Sequence, residues 1–242
     1  MPRVAYNDAA LTVWRGKDSL KFIDGLSTNK MVDLKKGEVR QTVFTTTSAK
    51  IIDFATVFHM GDFLAIQTHK SNLKHLLEQV LPKILNQDVN IQDVTDRNSF
   101  WIEYQEKIGQ IGTFTVSEGC TRANISENFS IAVSSLDVKL DSDGTLDEFN
   151  EWRIENLVPW VGHEITSKNH PLAVGLAEYV HPAKGCYVGQ EILARMISRK
   201  RQGKMLIRVA NNDVNEKFIT TRGDSHSLAI VRENQYPSNS LS

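Results

Sequence analysis

The first third of the chain alternates between stretches with extended and with helical periodicity. Residues 39–47 are rich in β-branched side chains and predict a strand, and apolar runs at 51–58 and 63–68 predict two more. Met60-Gly61-Asp62 separates the last two runs with a turn-forming sequence, so these two strands are expected to form a β-hairpin.

Two helices are predicted around these strands. Phe22, Ile23 and Leu26 share one face of a short helix that ends near Asn29. The clearest helix of the chain follows Ser71, a suitable N-cap, because six apolar residues recur at helical spacing: Leu73, Leu76, Leu77, Val80, Leu81 and Ile84. Pro82 is expected to kink or stop this helix.

The rest of the chain mixes short strands with isolated helices. Four strand-like segments are separated by polar turns: 89–94, 99–104, 111–116 and 131–133. A helix is predicted for 146–155, then strands at 205–209 and 227–231, before a tail from Gln235. Because helices and strands do not alternate regularly, the pattern predicts an α+β fold rather than β-α-β winding.

Composition narrows the class of protein and its partners. The chain has 242 residues, of which 40% are hydrophobic and 24% charged, an ordinary globular balance. The formal net charge of −1 gives no general reason to expect nucleic acid or membrane, so neither is predicted as a partner. One local basic cluster, which is ordinarily a solvated face, follows residue 194: Arg195, Arg199, Lys200, Arg201 and Lys204.

No stretch near the N-terminus has the apolar character of a secretory signal, and no window is long enough to span a bilayer. A cytoplasmic location is expected, or an organelle matrix if a targeting segment has been removed. Cys120 and Cys186 lie far apart in the chain and outside any metal-binding or disulfide spacing. The sequence therefore predicts no metal site.

The most informative stretch is Lys184-Gly185-Cys186-Tyr187-Val188-Gly189-Gln190-Glu191, here called the cysteine turn. Gly185 and Gly189 allow positive φ, and a helix is expected to begin just beyond the thiol and to run to Ser198. The helix N-terminus and Lys184 would both favour a thiolate at Cys186. The alternative is a buried, unreactive cysteine beside a tight turn.

The cysteine turn resembles the YgfZ/GcvT-like family of folate-binding proteins, in the branch implicated in iron-sulfur cluster assembly or repair. Two further segments carry the resemblance: residues 22–29, F-I-D-G-L-S-T-N, and Arg153-Ile154-Glu155 followed by G-H-E-I at 162–165. The family fold implies a ring of three subdomains around a central hole that admits a reduced folate such as tetrahydrofolate. It implies a folate-binding region at 1–198 and a short C-terminal β-barrel-like segment with its tail at 199–242.

The chain departs from the related aminomethyltransferases at three places. Leu157 stands where a glycine usually follows the R-x-E motif, and Ala173 replaces a carboxylate. In the segment that carries two adjacent acids in those enzymes, Asp53 remains and Phe54 replaces the second. These losses weaken the case for methylene transfer.

The resemblance assigns roles to particular side chains. Glu155 is the candidate for accepting both the amino and ring NH groups of the pterin; otherwise it is an exposed helix acid. Arg153 joins it in the folate site, or else pairs structurally with Glu155 or a neighbouring carboxylate. Asp53 is expected either to be partly buried with a raised pKa and act on a folate nitrogen, or to face water at a strand end.

Other candidates supply stacking, polar contacts or charge. Asn29, Tyr187 and Gln190 lie in the matching segments and complete the expected folate contacts. Trp160 and Tyr187 offer flat faces for the aminobenzoyl ring, although core packing is the more common role of such residues. The basic cluster could hold the glutamyl tail of folate or an acidic partner protein.

Three functions remain open from the sequence. The leading one is a tetrahydrofolate-binding accessory protein for assembly or repair of iron-sulfur client proteins, with Cys186 reactive. The second is an aminomethyltransferase that uses Glu155 and Asp53 to move a one-carbon unit to tetrahydrofolate. The third is a folate-free scaffold of the same fold that binds partner proteins through its basic cluster.

Overall fold

Three antiparallel sheets and four α-helices form the described part of the chain, which comprises residues 2–106, 109–138 and 140–235 of this computed structural model. The predicted α+β class is confirmed, because strands and helices are grouped rather than alternating. Residues 236–242, most of the predicted tail, lie outside the described range. No helix within that range is long and apolar enough to cross a membrane.

The first sheet contains the predicted hairpin. Its strands are β2 (Ala9–Arg15), β3 (Val39–Thr45), β4 (Ile51–His59), β5 (Phe63–His69) and β6 (Asn90–Asp93), in the order β3-β4-β5-β2-β6. Helices α1 (Ser19–Leu26) and α2 (Lys70–Val80) pack on one face around Trp14, Phe44 and Ile66. The opposite face packs on the second sheet, so this sheet is buried on both sides.

The start of α2 differs from the prediction, and its end agrees with it. His69, not Ser71, is the N-cap, and its ring nitrogen accepts a hydrogen bond from the Ser71 amide. At the other end Pro82 stops the helix as expected, because it sits in a 3₁₀ turn at Leu81–Lys83. Leu81 thereby leaves the apolar face and is 46% exposed, whereas Leu76 remains buried.

The second sheet carries the aromatic core. Its strands are β1 (Arg3–Ala5), β7 (Asn98–Tyr104), β8 (Phe114–Ser117), β9 (Cys120–Ser126) and β10 (Phe129–Ser135), in the order β1-β7-β10-β9-β8. Helix α3 (Leu146–Glu155) stacks Trp152 on Phe129 with ring centroids 5.7 Å apart. Thr145 and Glu148 form a capping box that begins α3 at its predicted residue.

The third sheet follows helix α4 (Gln190–Ser198). It consists of β11 (Lys204–Ala210), β12 (Ile219–Arg222) and β13 (His226–Arg232), in the order β11-β13-β12. Ile154 of α3 packs on Leu206 and Leu228 of this sheet. Ala173 and Val174 pack between Ile230 of this sheet and the first sheet, where they meet Val43 and Ile51. The first sheet thus packs directly on the second, and the third is joined to both through α3 and the turn at Pro171–Val174, which closes a ring.

Strands β1, β2, β9 and β12 were not predicted. In β2 the first six residues are all buried, because the strand lies inside the first sheet with protein on both faces. Such a strand lacks the alternation of apolar and polar residues that identifies a half-exposed strand.

Candidate functional site

A cavity of about 280 Å³ lies between the first sheet, the second sheet and the segments that follow α3. The first sheet contributes Gln41 and Phe54, the second contributes Phe129, and the segments after α3 contribute Trp160 and Tyr179. We call it the central cavity.

Aromatic rings and amide groups together line the central cavity. Phe54 and Tyr179 meet edge to face at 4.9 Å, and Trp160 meets Phe129 at 6.1 Å and 88°. Gln41 is held by a hydrogen bond from its Nε2 to Thr56 Oγ1 of 3.2 Å. Flat apolar walls with a few fixed polar groups suit a planar heteroaromatic ligand.

Arg153 is fully buried, and its side chain contacts other protein groups instead of lining the central cavity. Its Nη1 donates to Glu164 Oε2 and to the Val158 carbonyl, at 3.1 Å each. Its Nε and Nη2 donate to Asn150 Oδ1, and Nη2 also donates to Thr221 Oγ1. Of the two expected roles, structural pairing is the one observed, and the partner is Glu164 rather than Glu155. The R-x-E and G-H-E-I segments thus meet in one ion pair.

Glu164 extends this network to the cavity wall. Its Oε2 accepts a 3.0 Å hydrogen bond from the backbone amide of Trp160. Its Oε1 accepts from the hydroxyls of Thr220 and Thr221 at 2.7 and 2.6 Å. The buried pair therefore fixes the backbone of Trp160, which lines the cavity, and ties it to the third sheet.

Glu155 is the exposed last residue of α3. Asn156 and Leu157, which follow it, line the central cavity. Leu157 has φ of +54°, and the Val158 amide bonds back to the Arg153 carbonyl at 2.9 Å, which completes a Schellman motif. A leucine thus occupies the left-handed position that glycine usually takes. The forked contact of Glu155 with a pterin stays a prediction.

Asp53 is fully buried, so the alternative of an acid facing water is wrong. Its Oδ1 accepts from the Phe54 amide and Asn72 Nδ2, and its Oδ2 from the His69 amide, at 2.9–3.0 Å. Burial raises the pKa of Asp53 to about 7, and these hydrogen bonds oppose the shift. Because Phe54 faces the central cavity, its strand neighbour Asp53 points to the opposite side of β4.

The cysteine turn packs tightly on the hairpin between β3 and β4. Gly189 has φ of +84° and precedes α4, as predicted, and a Cβ there would lie 2.7 Å from Thr45 Oγ1 and the Thr46 carbonyl. Thr45 Oγ1 also donates to the Val188 carbonyl at 2.6 Å. Gly185 does not share this geometry, since its φ lies outside the left-handed region and open space surrounds it.

Lys184 fastens the turn to the C-terminal end of α1. Its buried ammonium donates to the carbonyls of Asp24, Ser27 and Asn29 at 2.5–2.8 Å and lies 3.4 Å from Asp24 Oδ2. Burial lowers the pKa of Lys184 to about 8, and the Asp24 carboxylate opposes the shift. Lys184 was expected to favour the Cys186 thiolate, but its donors are directed to α1.

Cys186 is exposed and carries a free thiol, so the buried alternative is wrong. Tyr187 was expected in the folate site, but it is buried beneath the Lys184 ammonium, 5.2 Å from its ring centroid, and packs with Leu193. Gln190 is the first residue of α4, and its amide bonds to the Tyr187 carbonyl. These two residues belong to the support of the turn rather than to the cavity wall.

Asn29 connects the cysteine turn with the central cavity. Its carbonyl accepts from Lys184 Nζ, and its Nδ2 donates to the Gln41 carbonyl at 2.8 Å. The predicted site residues therefore fall into two groups, one at the turn and one near the cavity, and Asn29 contacts both. Asp53 belongs to neither group.

Several cavity residues were missed in the sequence: Gln41, Phe54, Phe129, Glu178 and Tyr179. Gln41 carried a usable signal, since it and Arg40 are the two residues of the run 39–47 that are neither β-branched nor aromatic. The others come from three separate segments that only the closed ring brings together.

Comparison with known proteins places this geometry in context. No protein-family profile matches the chain. Proteins of Aliivibrio fischeri strains MJ11 and ATCC 700601 / ES114, each named tRNA-modifying protein YgfZ, are 25% identical over 207 residues, covering 78% of this chain. The chain spans 64% of the length of these curated relatives.

A solved structure confirms the architecture. The glycine cleavage system aminomethyltransferase T from Bartonella henselae matches with a TM-score of 0.79 at 10% identity, over 96% of this chain and 78% of that one. The resemblance to the YgfZ/GcvT-like family and the predicted fold are both confirmed by these matches.

Proposed function

We propose that this chain is a tetrahydrofolate-binding accessory protein that supports the assembly or repair of iron-sulfur proteins, with Cys186 as its reactive residue. The observation that carries the proposal is the coupling of an exposed thiol to a ligand-sized cavity through Asn29. The name of the curated relatives adds tRNA modification as the process in which such a protein would act. We place the folate-binding region at residues 1–198.

The central cavity supplies the groups that a reduced folate needs. Its aromatic walls can stack on the pterin or aminobenzoyl ring, and its amide side chains can bond to the ring edge. Its volume is close to the lower end of about 300 Å³ for small-molecule sites, which suits the ring system rather than the glutamyl tail. Glu155, adjacent to the wall, is the proposed partner of the pterin NH groups.

Cys186 would act on a partner protein. As a thiolate it can attack a client disulfide, forming one S–S bond to Cys186 while the second client sulfur leaves as a thiolate. Relay of redox equivalents and transient acceptance of a cluster intermediate are the other chemistries open to an exposed thiol. Each of the three requires a client that approaches the turn from solvent.

The position of Asp53 favours this accessory role over aminomethyl transfer. A group that moves a proton on folate must come within hydrogen-bond reach of the ligand, directly or through one water. Asp53 is fully buried on the side of β4 away from the cavity. A folate-free scaffold remains the competing function, and a binding experiment decides between them.

Titration with tetrahydrofolate under anaerobic conditions, followed by tryptophan fluorescence, tests the cavity. We expect saturable quenching that largely disappears in Trp160→Phe, because Trp160 lies in the wall. Glu155→Gln should weaken binding at least tenfold, since a hydrogen bond to a charged group contributes about 1.5–3 kcal/mol. Asp147→Asn, at the far end of α3, is the matched control and should bind normally. A flat titration would support the scaffold.

Replacement of Cys186 in the parent cell tests the thiol. Cys186→Ser should lower the activity of iron-sulfur enzymes, with the protein level and its folate affinity unchanged. Cys120→Ala removes the other, buried cysteine and serves as the control. Unchanged cluster enzymes in the Cys186→Ser strain would eliminate the reactive role and leave the folate site intact.

A further inference from the structure

A second cavity, of about 300 Å³, is lined mainly by polar and basic residues, whose aliphatic parts form much of its wall. It lies between the turn before β4, the segment before the 3₁₀ turn at Pro171–Val174, and the outer ends of β11 and β13. Its cationic lining residues come from four separate parts of the chain: Lys50, Lys168, Lys204 and Arg232, with His170 beside them. This convergence of charge is not visible in the sequence.

The basic cluster at the end of α4 continues this lining. Arg201 is followed directly by Gln202, Gly203 and Lys204 of the cavity wall, and Arg195, Arg199 and Lys200 are exposed on the preceding turns. We call the eight lysines and arginines the basic surface: Lys50, Lys168, Arg195, Arg199, Lys200, Arg201, Lys204 and Arg232. Glu233 borders it, where its Oε2 accepts from the Gly203 amide at 3.2 Å.

The ionisation of His170 reflects the local positive charge. Burial lowers the pKa of His170, the hydrogen bond with the Gln202 carbonyl opposes this, and the ammonium groups of Lys50 and Lys204 lower it further. His170 also accepts a hydrogen bond from the Ala173 amide through Nδ1. Its ring thus fixes the cavity wall while the lysines supply the charge.

The character of the lining selects the kind of partner. Protein interfaces have a core of large apolar side chains, but Ala173 and Gly203 are the residues without a polar side chain in the lining of this cavity. Interfaces with nucleic acid are more polar and strongly positive. The central cavity shares no lining residue with this one, and a buried cluster around Val174 lies between them, so a glutamyl tail is a poorer fit.

We propose that the basic surface binds the phosphodiester backbone of a nucleic acid. The net charge of −1 led to the expectation of no nucleic-acid partner, but that sum averages over faces of opposite charge. Gly189 packs against Ala49, the residue before Lys50, so the basic surface borders the cysteine turn. The proposal adds to the accessory role a direct contact with nucleic acid, which the folate and thiol chemistry does not itself require.

Fluorescence anisotropy with labelled unfractionated tRNA, and with a DNA duplex of similar length, tests the surface across a salt series. The triple variant Lys168→Glu, Lys204→Glu, Arg232→Glu should bind at least tenfold more weakly. The slope of log K against log salt should fall by about 2–3, because three phosphate contacts are lost. The probe that binds more strongly, tRNA or the DNA duplex, identifies which nucleic acid supplies the phosphodiester backbone. Either result supports the site.

The matched control carries the same change of charge on exposed lysines elsewhere: Lys21→Glu, Lys35→Glu and Lys74→Glu. It should retain most of the affinity. Equal loss in both triple variants, or no wild-type binding at 100 mM salt, would overturn the proposal. Displacement of the tRNA by poly-L-glutamate at equal charge would assign the surface to acidic polypeptides and also overturn it. Circular dichroism and the tetrahydrofolate titration confirm that each variant is folded.

Discussion

Arg153 and Lys184 are both buried cations, and each precedes by two residues an exposed side chain with candidate chemistry. Arg153 lies before Glu155, which is adjacent to the wall of the central cavity, and Lys184 lies before Cys186 in the cysteine turn. Both direct their N–H donors into the protein rather than toward the exposed residue. In each case the cation fixes the backbone from which the exposed group projects.

The acceptors differ, and this difference separates the two regions. Arg153 shares a fully buried ion pair with Glu164, which also holds Trp160 and two threonines of the third sheet. Lys184 instead binds three backbone carbonyls and reaches the Asp24 carboxylate at the longer distance of 3.4 Å. The cavity side therefore depends on a network between sheets, whereas the turn depends on one local clip.

The largest effect is expected at the network. Arg153→Met should lower the free energy of unfolding by about 3–5 kcal/mol, because it leaves Glu164 buried without a counter-charge. Urea denaturation measures the loss, and the emission of Trp160 should shift as its backbone contact loosens. Arg153→Met combined with Glu164→Gln should recover part of the loss. A single variant that loses less than about 1 kcal/mol would contradict the importance of the pair.

Asp53 extends the comparison to a buried acid that is bound by amide donors. Its pKa is raised from 3.8 to about 7 on folding, so its contribution to stability is complete near pH 4 and is lost as pH rises through 7. The unfolding free energy of the wild type, minus that of Asp53→Asn, should fall by about 2–3 kcal/mol between pH 5 and pH 8. Urea denaturation at each pH measures it, and a constant difference would show that Asp53 is ionised throughout.

Removal of the local clip should have a smaller effect. Lys184→Met should destabilise the protein by about 2 kcal/mol, because buried carbonyls lose a charged donor. The rate of Cys186 alkylation by iodoacetamide should change, while the emission of Trp160 stays as in the wild type. Lys168→Met, an exposed lysine, is the control for loss of charge. A shift of Trp160 emission in Lys184→Met would mean that the two regions are not separate.

The smallest change concerns the end of α3. Leu157→Gly should raise the free energy of unfolding by about 1 kcal/mol, because glycine adopts positive φ without the cost that a Cβ imposes. Leu157→Ala keeps the Cβ and should gain nothing. Equal stability of the two variants by urea denaturation would show that the left-handed backbone is not the source of the cost.

Local signals account for the parts of the fold that the sequence predicts well. Thr145 and Glu148 define the start of α3 within four residues of chain, and Met60-Gly61-Asp62 defines the hairpin. Strand β2 was missed because both its faces are covered by parts of the chain that are distant in sequence. The sequence also did not predict that His69 rather than Ser71 caps α2, since histidine is not among the preferred N-cap residues.

The sequence predicted which segments form the candidate site, but not how their side chains are oriented within it. The resemblance identified Glu155, Cys186 and Asn29 as members of the matching motifs. It did not reveal that Asp53 points away from the cavity, because this depends on which face of β4 is covered. Structural pairing of Arg153 was one of the two expected roles, but its partner Glu164 was not specified, since a motif does not show which way its arginine side chain turns.

The three hydrogen bonds from Lys184 to the end of α1 also determine when the cysteine turn can fold during synthesis of the chain. Residues 24 to 29 leave the ribosome first, and Lys184 follows 155–160 residues later. At about 5–20 residues per second, that interval is roughly 8–30 s. The thiol-bearing turn cannot take its final shape during this time, because these bonds form only after Lys184 has been made.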